Sequence, residues 1–165
     1  MGNGRFTEIE QQAINEKVKL LKKVKEGVLS TEELGHRIKQ RRVSWFQENK
    51  ARIYQQYKDL SDIEIAYRAI FLDHMQIDPR YSEIDWVSKT KLRIKSCNFC
   101  PYLEACRILK LNTRYVCRVI GEPSIQAVMS LINPKLKFSR NYGHIRPEYS
   151  YCEEFIELRE EDAKL

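Results

Sequence analysis

No stretch of the chain approaches the roughly 18 consecutive apolar residues that a membrane-spanning helix needs. The start, Met1 to Gln12, lacks the apolar run of a secretory leader. Phe6 stands where an N-myristoylation signal has Ser or Thr. These absences give a cytoplasmic location and no membrane partner as the default expectation. No Gly-rich phosphate loop, no G-x-S-x-G elbow and no H-E-x-x-H pair is present, so the common nucleotide, serine-hydrolase and zincin chemistries lose their signatures. His36, His74 and His144 are scattered without metal-ligand spacing, and each reads as a surface or internally satisfied histidine. There is no internal repeat and no low-complexity segment.

What is present is charge, helical periodicity and cysteine. The net charge is +6 with a pI near 9.0, unevenly spread. Arg37 to Lys58 contains Glu48 as its only acid, Lys89 to Arg118 contains only Glu104, and the end from Glu153 is acidic. Basic patches attract phosphates or carboxylates; the plainer reading is a solvated helix face. At 165 residues the chain can bury a core without disulfide staples. In a reducing compartment its five cysteines are therefore thiols, metal ligands or catalytic groups.

The pattern predicts an α+β fold, a helical N-terminal half followed by a small antiparallel sheet with helices on one face. Apolar residues recur at helical spacing from Ile9 to Val28, and Gly27 suits a stop. Ser30 with Glu33 reads as a capping box opening a long helix through Leu34, Phe46 and Tyr57, and Ser61 caps a third. Asp78-Pro79 and the polar residues around Ser82 mark a break, so the expected division is a helical region, 1–78, and a cysteine-rich α+β domain, 79–165. Alternation predicts strands at Lys91–Ser96, Leu136–Arg140 and Tyr151–Leu158. Helices are expected at Tyr102–Leu109, Arg114–Gly121 and Pro123–Ile132.

The cysteines run Cys97-x2-Cys100-x5-Cys106-x10-Cys117, with Cys152 far along. C-x2-C at a strand-to-helix turn can bring two thiolates to one ion. Zinc wants four such ligands, and a 4Fe-4S cluster also uses C-x2-C, with proline beside a ligand in the ferredoxin run. Cys97, Cys100, Cys106 and Cys117 are thus candidate ligands of a cluster or of zinc. Cys152 is a fourth ligand or a nearby reactive thiol. The competing reading is ordinary buried cysteine. Glu122, beside Pro123 and one turn before Gln126, either points into a pocket next to Cys117 or caps its helix.

The runs Cys100-Pro101-Tyr102-Leu103-Glu104-Ala105, Val116-Cys117 and Tyr151-Cys152-Glu153-Glu154-Phe155-Ile156 resemble the L-2-amino-thiazoline-4-carboxylic acid hydrolase-like family, over roughly Lys91 to Leu158. The resemblance implies hydrolytic opening of a sulfur-containing ring and a shared importance of Cys100, Cys117 and Cys152. Cys97 and Cys106 are additional to that pattern. The expectation is a small-molecule enzyme with a cysteine-rich iron–sulfur or zinc site and an anionic substrate, with Cys152 and Glu122 as candidate catalytic groups. The alternative is a metal- or cluster-braced nucleic-acid-binding module, whose Arg37, Lys39, Arg41, Arg42, Lys50 and Arg52 interleave with Trp45, Phe46 and Tyr54. A third reading is an interaction protein whose helix pair packs on itself, as an oligomer, or on a partner.

Overall fold

Each of the first three helices begins on a side-chain cap. In the computed structural model, which describes residues 4–160, Thr7 opens α1 (Glu8–Lys25) and Ser61 opens α3 (Asp62–Ala66), both with reciprocal capping boxes. Ser30 opens α2 (Thr31–Gln56) and accepts from the Glu33 N–H. The expected return bond from Glu33 is not made, because its carboxylate holds Arg37 at 2.5 Å. Gly27 ends α1 at φ +74°, a conformation that a Cβ disfavours. α3 runs on as a π-helical stretch over Tyr67–His74.

After a 3₁₀ turn at Pro79–Tyr81 come β1 (Ser82–Ser88) and β2 (Lys91–Ser96). Then follow α4 (Pro101–Leu109), α5 (Thr113–Val116), a π-helical turn at Cys117–Gly121 and α6 (Glu122–Ile132). The chain closes with β3 (Leu136–Asn141) and β4 (Cys152–Leu158). The four strands form one antiparallel sheet in the order β1-β2-β4-β3. The α+β expectation holds, with the three expected strands in place and β1 added at an edge.

The register sorts each strand into two faces. Leu92, Ile94, Leu136, Phe138 and Ile156 turn inward and pack with Phe46, Ile53, Phe71 and Met129 from the helices. Burying a side chain such as Phe138 is worth about 2–3 kcal/mol. The opposite face is polar, with Arg93 bonded to Asp85 and Lys91 lying over Phe155. A second cluster joins Leu21, Leu34 and Ile38 to Ala105, Cys106 and Ile120. Both clusters draw residues from either side of position 78. No helix among the described residues is long and apolar enough to cross a membrane.

Candidate functional site

The inward face of the sheet changes character at one end. One step beyond Phe138 and Ile156, the same alternation brings Arg140 and Glu154 inward as a cross-strand pair. Arg140 Nε donates to Glu154 at 2.8 Å, with the two side chains only 10% and 7% exposed. A further step brings Ser96 opposite Cys152. Burial pulls the Arg140 guanidinium down, but the charge of Glu154 and its hydrogen bond overrule it and hold it above its ordinary value.

Three thiols gather around this pair. Cys100 is the N-cap residue of α4, Cys117 starts the π-helical turn and Cys152 starts β4. They lie close enough for charge on one to be felt by the others. Arg146 Nε donates to Cys152 Sγ at 3.3 Å, and its Nη1 donates to the Asn98 carbonyl at 2.6 Å. Burial pushes the Cys100 thiol up, against the guanidinium charges of Arg146 and Arg140. Burial pushes Cys117 to about 12. These two thiols are therefore neutral near neutral pH, the opposite of what a nucleophile requires.

Cys97 stands apart from that group, while Cys106 lies near enough to Cys100 to feel its charge but is enclosed by apolar side chains. Cys97 is exposed, and its thiol faces the Tyr81 carbonyl at 3.5 Å. Cys106 is buried in the second apolar cluster, where burial raises it to about 11. Glu122, in the first turn of α6, does not face a thiol; its carboxylate accepts a close hydrogen bond from the Tyr142 hydroxyl. Gln126 bonds the backbone of β3.

Beside the thiols, a cavity of about 300 Å³ opens between α1, α2, the end of the first π-helical stretch and the segment Asn98–Tyr102. That is the lower end of the usual range for small-molecule sites, about 300–1,000 Å³. One wall is basic, with Lys17, Arg41 and Arg42; another is apolar, with Ile38, Met75, Ile77 and Phe99. Its lining includes no carboxylate. Arg42 Nε is buried and has no hydrogen-bond partner. Burial, then neighbouring cationic charge, lowers Lys17 and takes His74 down to about 4. Arg42 is lowered by burial, which the Tyr102 side chain opposes. Lys17 lies over the Tyr102 ring at 4.9 Å, and Tyr102 is raised to about 12 by its burial.

The metal centre expected at Cys97, Cys100, Cys106 and Cys117 is corrected by this geometry. Among the described residues, no group of three or more His, Cys, Asp or Glu side chains is disposed to hold a metal ion. The linear spacing misleads because Cys97 is exposed just past the end of β2, while Cys106 is taken into the second apolar cluster. The interleaved aromatics of α2 are not a stacking platform either. Phe46 is fully buried, Tyr54 packs on the core, and the Trp45 ring lies tilted against His74, with centroids 4.4 Å apart.

No family model and no curated protein matches the chain. Among solved structures it is similar to a trafficking protein particle complex subunit 3 from Naegleria fowleri, covalently bound to palmitic acid. The identity is 12% and the TM-score 0.48, over 92% of this chain and 95% of that one, a likeness too distant to carry a functional inference. The thiol geometry corrects both the cluster- or zinc-based ring-opening hydrolase and the metal-braced nucleic-acid module, since no group among the described residues is disposed to hold the metal that either requires.

The residues that define the cavity escaped the cysteine-led reading. Arg42 was visible only as one cation in a basic run. Arg140 and Glu154 did carry a signal: each occupies an inward position of an alternating strand, where an apolar residue is the rule.

Proposed function

We propose that this chain is a binding domain for a small organic anion, a carboxylate, seated in the cavity between α1, α2 and the segment Asn98–Tyr102. The observation that carries this reading is Arg42, a half-buried guanidinium whose Nε is withdrawn from water and unpaired, with no carboxylate in the surrounding wall. A buried donor left without a partner costs about 1–3 kcal/mol. An anion bonded to it recovers that cost and relieves the crowding of Lys17, Arg41 and Arg42. The apolar wall accommodates the rest of a small organic molecule and excludes water from the ion pair, which strengthens it.

Titration calorimetry of the full chain with benzoate, other small aliphatic and aromatic carboxylates, and inorganic phosphate tests the proposal. Binding of at least one carboxylate is expected, weakened about tenfold or more in Arg42→Gln, since a charge-assisted bond is worth about 1.5–3 kcal/mol. If no carboxylate binds, or if Arg42→Gln binds as tightly as the parent, the reading fails.

A further inference from the structure

The two edges of the sheet are finished differently. At β3, Gln126 of α6 takes the place of a further strand: its Nε2 donates to the Leu136 carbonyl at 2.9 Å, and its Oε1 accepts from the Phe138 N–H at 2.8 Å. At β1 no described residue does the same, and β2 is its strand partner. Apolar side chains are exposed there too. Ile84 and Trp86 are 43% and 46% exposed, although their cross-strand partners Ile94 and Leu92 are 0% and 1% exposed. The inward face of the sheet thus runs out past its helical cover. Tyr81 just before β1, and Val87 where the pairing shifts register, extend the exposed surface.

We propose that the β1 edge is a docking site for an extended segment of a partner protein, apolar on one face and lysine- or arginine-bearing on the other. An added strand would satisfy the open backbone edge and cover Ile84 and Trp86. The charge of β1 selects the partner. On its other face stand Glu83 and Asp85; Arg93 holds Asp85 at 2.7 Å, while Glu83, opposite Lys95 in the register, forms no ion pair among the described residues and is left at the open edge. A second copy is the wrong occupant, because antiparallel self-pairing centred on Ile84 or Asp85 sets carboxylates against carboxylates. The acids therefore guard the edge against its own kind while admitting a basic strand.

The test uses the full chain and two end-blocked synthetic hexapeptides, one alternating lysine and valine, the other glutamate and valine. Fluorescence anisotropy reads binding, and amide hydrogen exchange reads protection over residues 82–86. The lysine peptide is expected to bind and protect these amides, with the glutamate peptide about tenfold weaker or more. Glu83→Gln, at an exposed position and with no ion pair among the described residues to lose, should shrink that preference while leaving the melting temperature unchanged. Ile84→Glu should abolish binding. Equal binding of both peptides, protection elsewhere than β1, or a concentration-dependent dimer giving the same protection without peptide would overturn the proposal.

Discussion

Arg140 is a guanidinium taken out of water and Arg42 is half buried with its Nε enclosed, and only Arg140 has a carboxylate. Their substitutions should therefore move stability in opposite directions. Glu154→Ala leaves Arg140 buried without its partner, and breaking such a pair costs about 3 kcal/mol or more. Arg42→Met removes an unsatisfied donor while keeping the side-chain volume, so the ligand-free protein should gain about 1 kcal/mol. Urea unfolding of the two variants measures both. A loss of stability in Arg42→Met would show that Arg42 is held by packing rather than left waiting for an anion. The same contrast explains what the residue pattern could and could not disclose. Charged residues at inward strand positions are visible from alternation alone. Arg42, on a helix crowded with other cations, differs from its neighbours only in the depth at which tertiary packing places it.

Among the elements, the segment from Thr113 to Ile132 shows how a local irregularity serves the site. A π-helical turn at Cys117–Gly121 links α5 to α6, and the Cys117 carbonyl accepts from Arg140 Nη1 at 3.4 Å. Gly121 permits this approach: a Cβ there would lie 3.1 Å from Arg140 Nη1. That guanidinium cannot swing away, because Glu154 holds its Nε. Gly121→Ala should thus destabilise the protein although alanine favours helix by about 1 kcal/mol. Gly35 in α2 is the control. A Cβ there meets the Val119 carbonyl at 3.5 Å, an ordinary contact, so Gly35→Ala should stabilise by up to about 1 kcal/mol. Thermal unfolding of the pair separates propensity from packing. Helices and inner strands were legible because each has one covered face and hence a period. β1 was not, since Ile84 and Trp86 lie at the open rim and Glu83 and Asp85 break any apolar run. The C-x2-C motif was legible as a turn, but spacing along a chain says nothing of which side of α4 receives Cys106.

Across the whole molecule, the shifted groups set a stability profile with a loss on each side of neutrality. His74 falls from an ordinary 6.5 to about 4 through burial and then the charge of Arg42, so it stays neutral in the folded chain where the unfolded chain takes up a proton. Stability therefore declines as pH falls from about 6.5 towards 4, by well under the roughly 3 kcal/mol of a fully buried imidazole, because solvent screens this half-exposed ring. Below that range Glu64, Asp78 and Asp85 add to the decline. Their folded carboxyls lie below the usual range, chiefly through bonds from the Ser61 backbone, Arg80 and Arg93 respectively, and that advantage disappears on protonation. On the alkaline side, Cys106 and Cys117 are raised from 9.0 to about 11 and about 12, mainly by burial. The unfolded thiols ionise first, so stability falls again as pH rises above about 9. Urea unfolding across pH 4 to 10 should show a plateau between roughly 6.5 and 9. His74→Gln should flatten the limb between 6.5 and 4 and leave the alkaline limb unchanged, because the two limbs arise from different groups. An acid limb of the same steepness in His74→Gln would mean that carboxylates, not this imidazole beside Arg42, govern the first stage of acid destabilisation.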